Sequence, residues 1–487
     1  MVAHRSLLNR TMRRLRQAWS DLNTTLRGDD GYQFEAGLSD RDVEHLRQLI
    51  KSCLNAPGGE FAARAQAAHI GHAYMTLNQQ GRMRFLRLLA TDFDVNTTAI
   101  QQAISDYNKA NPTDNLPKLR HKLRKVLVAP RVELLTLFNA LPEGIKFLVD
   151  MRGELLEMGA DKDPELDEVE RDLKHLLSSW FDIGFLQLEQ ITWNSPAALL
   201  EKLIEYEAVH EITSWTDLKN RLAPDRRLFA FLHPNMADEP LIFVQVALCD
   251  GLAGNVQTLL DTNAPTFDVQ GANTAIFYSI SNAQRGLSGI SFGNYLIKRV
   301  VANLKRELPQ LDHFATLSPV PGFMKWLEAS LSDSTLLLPQ EQESIAAVAQ
   351  DLSVDASLPA LLALMTWHQN LLITQALQPV LLRLCAEYLG GLQKGKLRAR
   401  DPVAHFHLSN GAILQQLNWM ADVSPKGIRQ SCGIMVNYLY DLDDIDNNSE
   451  NYVQTGSIAM SGDIRERLLS REKTLKERAA KNVRRIH

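Results

Sequence analysis

The sequence predicts an α+β protein in two parts, an all-α helical domain over residues 1–188 and an α/β domain over residues 189–487. Three observations lead there. The chain has 487 residues, and at roughly 150 residues for a typical domain that is too many for one small module. Its first third repeats apolar residues at helical spacing, with few alternating runs. After Trp193-Asn194-Ser195-Pro196 the texture changes to apolar, β-branched and aromatic runs divided by turn-forming residues.

In the first part, Ser39 is placed to cap a helix whose Val43, Leu46, Leu49 and Ile50 share one face. Pro164 fits the first turn of another, with Leu166, Val169, Leu173, Leu176 and Leu177 on one stripe. Glu170, four residues before Lys174, is expected to support that helix by an ion pair. In the second part, residues 227–233 and 241–248 read as paired strands across a Pro-bounded turn. Residues 274–281 form a further strand, followed by a glycine-containing turn and a helix with Leu296, Ile297, Val300, Val301 and Leu304 at helical spacing. Residues 314–317, 406–408 and 434–440 read as short strands, and residues 358–389 as helical.

Hydrophobic residues make up 45% and charged residues 22%, which sets aside disordered, collagen-like and coiled-coil-only chains. A formal charge of −5 gives no basic field for nucleic acid. Four dispersed cysteines without a Cys-x-x-Cys pair argue against a disulfide scaffold and a zinc knuckle, leaving reduced thiols as the expectation. No apolar run approaches the ~18 to 20 residues that cross a bilayer. The expected location is cytoplasmic, the alternative being mitochondrial targeting by the arginine-rich residues 1–20.

The candidate chemistry lies in three places. Ser288, Gly289, Ile290, Ser291, Phe292, Gly293 and Asn294 stand between a strand and a helix, where glycine lets backbone N–H groups approach a phosphate. The spacing matches neither the Rossmann fingerprint nor the P-loop; it resembles the pyrophosphate loop of the acetyltransferase-like fold, and read from the residues alone an ordinary glycine turn fits as well. Ile290 also breaks the Gly-x-Ser-x-Gly pattern that a nucleophilic Ser288 would need. Ser318 lies in a turn stiffened by Pro319, Pro321 and Gly322, which suits either a positioned hydroxyl or a helix cap. His405 and His407 would share one face if their segment were a strand; no third metal ligand is evident, so one catalytic imidazole is the better functional reading, while from the residues alone a hydrogen-bonded structural histidine fits either position better.

Taken together, the strings His233-Pro-x-Met236 with Glu239-Pro240, Phe277-Tyr-Ser-Ile-Ser281, Gly293-x-x-Leu-Ile-Lys-Arg-Val-Val301, Leu317-Ser-Pro-x-Pro-Gly-Phe323, Asp401-Pro-Val-Ala404, Phe406-His-Leu-x-Asn-Gly-Ala412 and Asn418-Trp-Met-Ala-Asp-Val-Ser424 resemble malonyl-CoA decarboxylase. They run in the family's order through most of the second part. Ser291 is a departure, since some members carry an acid there.

The resemblance implies an oligomerising helical domain, in a homotetramer, before an acetyltransferase-like catalytic domain. It implies a carboxy-lyase that converts malonyl-CoA to acetyl-CoA and carbon dioxide with no cofactor beyond the coenzyme A of the substrate. The family's serine and histidine fall on Ser318 and His407, its coenzyme A loop on residues 288–294, and Tyr440 is a candidate to complete the pocket. The rival readings are an acyl-CoA N-acyltransferase of the same fold and a non-catalytic malonyl-CoA sensor.

Overall fold

The structure is a computed structural model and describes residues 19, 32–56, 59–110, 115–236, 238–290 and 295–469. Residues 1–18 and 20 of the basic opening segment, Ser291, Phe292, Gly293 and Asn294 of the loop, and residues 470–487 of the charged tail lie outside the described residues.

Helices fill the chain from Asp40 to Trp180. Asp40–Leu54 starts where expected: Ser39 and Asp42 bond each other's backbone N–H, a reciprocal cap that satisfies two otherwise orphaned donors. Leu46 and Ile50 are buried, with Val43 and Leu49 packed against them at half burial. Pro164–Trp180 has its proline in the first turn and buries Leu166, Val169, Leu173 and Leu177. The expected Glu170–Lys174 support does not form. Glu170 instead accepts from Arg152 on the preceding Gly144–Glu157 helix, at 2.6 and 3.0 Å, because a buried guanidinium needs a carboxylate more than an exposed ammonium does.

Eight strands follow among the described residues: β1 (Gln187–Ile191), β2 (Arg226–Leu232), β3 (Ile242–Cys249), β4 (Thr274–Asn282), β5 (His313–Thr316), β6 (Ser318–Pro319), β7 (Ile413–Asn418) and β8 (Met435–Leu439). They make one sheet in the order β1-β2-β3-β4-β5-β8-β6, with β7 also on β8. Every pairing is antiparallel except β4 with β5, which are joined by the Tyr295–Glu307 helix. β2, β3 and β4 are buried almost throughout, which explains their unbroken apolar runs. On one face Phe229, Phe231, Val244 and Phe277 join a core that reaches Leu148 and Leu177 of the helical part. On the other, Leu228, Ala230 and Phe243 pack against Leu200 and Leu218.

Two features of β4 position the site. Tyr278 has no register partner on β3, a bulge that bends the strand. β5 follows β4 only from Thr274 to Phe277, so the last five residues of β4, about 16 Å of strand, run beyond the pairing toward the glycine loop.

Two further expectations fail. Residues 406–408 are no strand but part of the helix Pro402–Ser409, where Asp401 caps the N-terminus and Pro402 occupies the first turn; those start signals outweigh three alternating residues. The stretch 358–389 is not continuous: Leu358–Leu362 and Leu371–Leu389 are separate helices, the second capped afresh by Asn370.

Candidate active site

Ser318 sits on β6, two residues past the end of β5, and is not a helix cap; the next helix starts at Phe323 behind Gly322. Its Oγ lies 3.2 Å from His407 Nε2 and 2.8 Å from Thr316 Oγ1. Strand alternation puts Thr316 and Ser318 on one face, and Thr316 Oγ1 also accepts the backbone N–H of Tyr438 at 3.2 Å. Gly322 lets the turn pass close to Tyr388, whose hydroxyl would stand 2.0 Å from an added Cβ.

His407 is held from three sides. Asp401, fully buried, fixes the start of its helix by accepting from Val403 and Ala404 N–H, both at 2.9 Å, and from the Tyr388 hydroxyl at 3.1 Å. Tyr438 stacks on the imidazole at 4.5 Å between ring centres. The Tyr440 hydroxyl meets Nδ1 at 2.7 Å. Tyr440 is buried, and its hydroxyl has no other partner among the described residues. Its hydrogen is therefore satisfied when it donates to Nδ1, which leaves the imidazole hydrogen on Nε2, facing Ser318, with Ser318 donating onward to Thr316. Tyr440 thus stands behind His407 instead of lining an open pocket. Burial alone pushes the His407 pKa down to about 3, so the ring is neutral near pH 7.

His405 does not share this face. Two residues on a helix are about 200° apart, and His405 Nδ1 instead meets the Tyr452 hydroxyl at 2.8 Å.

The glycine loop opens with Gln284, which donates to the Pro240 carbonyl at 3.0 Å. Glu239 beside it binds Lys202 at 2.7 Å, so the His233 to Pro240 string serves to fix the β2–β3 turn under the loop. Gly289 has φ +71°, a conformation that favours glycine, and with Ser288 and Ile290 it lines a cleft of about 470 Å³. The loop and Ser318 follow β4 and β5, which run parallel, and so lie toward the same end of the sheet. Sequence reasoning overlooked Thr316 and Tyr438; the two-residue spacings Thr316–Ser318 and Tyr438–Tyr440 were the available signal. No group of three or more His, Cys, Asp or Glu side chains able to hold a metal occurs among the described residues, and the four cysteines are free thiols.

A buried serine–histidine pair on a mixed sheet, its imidazole held by tyrosines, has the geometry of an enzyme site that orients a group and moves a proton. Residues 93–181 match the malonyl-CoA decarboxylase N-terminal domain and residues 184–479 the malonyl-CoA decarboxylase C-terminal domain. The mitochondrial malonyl-CoA decarboxylase of the goose Anser anser anser is 40% identical over 399 residues, 79% of each chain. That of Mus musculus is 42% identical over 356 residues, 70% of this chain and 72% of its own. The crystal structure of malonyl-CoA decarboxylase from Rhodopseudomonas palustris is 40% identical, with a TM-score of 0.79 over 87% of this chain and 99% of its own. That from Agrobacterium vitis is 41% identical, with a TM-score of 0.78 over the same shares. The chain belongs to the malonyl-CoA decarboxylase family and is a carboxy-lyase.

Proposed function

We propose that this chain carries out the family's reaction, the decarboxylation of malonyl-CoA, with Ser318 and His407 as the catalytic pair. The observation that carries the assignment is the 3.2 Å contact between them across 89 residues of sequence. Ser318 orients the malonyl group by hydrogen bonding, and His407 supplies the proton. The overall change consumes one proton: the carboxylate leaves as carbon dioxide, its bonding electrons become a thioester enolate, and the α-carbon is then protonated. Burial keeps His407 neutral. A malonyl carboxylate brought against it favours the imidazolium, so substrate binding itself loads the proton that the ring later returns to the carbanionic carbon from Nε2. Donors around the thioester oxygen stabilise the enolate.

The coenzyme A handle is assigned to the loop Ser288 to Asn294. Supporting this, the end of β4 that extends past its pairing with β5 spans the distance that an extended pantetheine arm covers between thioester and diphosphate, and Gly289 admits the backbone closely. The same strand, loop, helix and parallel-strand order supports an acetyltransferase-like domain over residues 189–487. The helical residues 1–188 are assigned to self-association into a homotetramer. Leu127 and Val128, 54% and 55% exposed, and Phe61, 67% exposed, support that, and sedimentation of a strictly monomeric species would refute it. For location the reading is cytoplasmic; fusing residues 1–20 to a reporter protein separates it from the mitochondrial alternative that the names of the vertebrate relatives bring forward.

Incubation with malonyl-CoA and no amine acceptor, read by mass spectrometry, tests the activity. Acetyl-CoA and carbon dioxide are expected. Recovery of unchanged substrate would return the sensor reading, and turnover only with an amine the acyltransferase one.

A further inference from the structure

The helical part touches the glycine loop through two cations. Arg152, only 2% exposed, donates to the carbonyls of Gly286 and of Ser288, the latter at 2.9 Å. Glu170 balances its charge from the neighbouring helix at 2.6 Å. The contact is close enough that a Cβ on Gly286 would fall 1.7 Å from the Val149 carbonyl oxygen. A trans peptide unit is planar, with its C=O and N–H on opposite sides. Pulling the Ser288 carbonyl toward Arg152 therefore turns the Gly289 N–H away from Arg152, and that N–H has no protein acceptor among the described residues.

Lys174 stands at the same place. Its ammonium lies 3.5 Å from the point where a side chain at Gly289 would begin. Glu170, one turn before it on the same helix, is engaged by Arg152, and no carboxylate pairs with Lys174 among the described residues. An ammonium without a counter-ion beside an outward backbone N–H is a site for an anion.

We propose that the helical part supplies half of the nucleotide end of the coenzyme A site: Lys174 binds the diphosphate directly, and Arg152 is a positioning residue that aims the Gly289 N–H at it. This rests on the loop being the coenzyme A loop. The test compares malonyl-CoA with malonyl-pantetheine, which lacks the diphosphate and nucleotide, on the full chain. Lys174→Gln, a change at a partly exposed side chain, is expected to raise KM for malonyl-CoA on the order of tenfold, the loss of one charged contact, with kcat little changed. Its kcat/KM for malonyl-pantetheine should equal that of the unaltered chain. Arg152→Met should likewise weaken malonyl-CoA alone, and Arg152→Lys should recover part of the loss.

An unchanged KM in Lys174→Gln, or equal losses on both substrates, would overturn the inference. Gly289→Val separates the underlying reading. If it weakens malonyl-CoA binding while Lys174→Gln does not, the loop assignment stands and the role of the helical part falls. If neither variant has an effect, the loop assignment falls with it.

Discussion

The two ends of the substrate site are built on different principles. At the acyl end, Thr316, Ser318, His407, Tyr438 and Tyr440 are all buried, and side chains bond side chains in a closed chain from Tyr440 to Thr316. At the proposed nucleotide end the working groups are the Gly289 N–H of a turn, aimed by a guanidinium from a distant helix, and a partly exposed lysine. The chemistry needs a dry, rigid setting in which one proton has one path. The handle needs affinity, which repeated backbone donors and charge supply at the surface. Substitutions at the acyl end should therefore act on kcat and those at the nucleotide end on KM.

The largest break is expected at His407. His407→Asn and Ser318→Ala should each lower kcat by ~10² to 10⁴-fold with coenzyme A affinity kept, as for positioned acid–base groups. The double variant should lose far less than the product of the two factors if they act as one unit; a fully multiplicative loss would make them independent. Next is Gly289→Val, for which steady-state kinetics should show KM raised on the order of tenfold or more at nearly constant kcat, since a β-branched residue resists φ +71° and crowds the phosphates. A dominant kcat effect would erase the contrast between the two ends.

Proton linkage gives a third test. The His407 pKa is pushed down to about 3 from 6.5 by burial, so between those values the unfolded chain binds a proton that the folded chain does not. Stability contributed by keeping this ring neutral is complete above pH 6.5 and is lost as pH falls toward 3. In chemical denaturation His407→Asn should flatten the fall in stability across that window. The same group should take up a proton when an anionic, non-decarboxylating malonyl-CoA analogue binds, and calorimetry in buffers of different ionisation enthalpy should find that uptake absent in His407→Asn. Asp401→Ala comes next: loss of a side-chain cap costs about 1 kcal/mol, and because that cap holds the helix of His407, a lowered Tm should come with a lowered kcat. The smallest effect is expected at His405. His405→Asn loses its contact to Tyr452 and should turn over near normally, so a collapse there would exchange the roles of the two histidines.

The sequence by itself determined where helices start, which faces they bury, the run of strands β2 to β5 and β8, and the strings that carry Ser318 and His407. Those features are local: a Ser39 cap, a Pro164 first turn or an apolar run states its preference within a few residues. It misread residues 406–408 because two alternating histidines look the same in a strand and in a short helix until Asp401 and Pro402 are weighed as start signals. Polar strand β1, with Gln187, Glu189 and Gln190, carried too little apolar signal to be seen. Only the tertiary structure separated His405 from His407, turned Glu170 from Lys174 to Arg152, and set Thr316, Tyr438 and Tyr440 around one imidazole. Those choices depend on burial and on which partner a charge or hydroxyl meets across 18 to 122 residues of sequence, and no local spacing encodes such a competition.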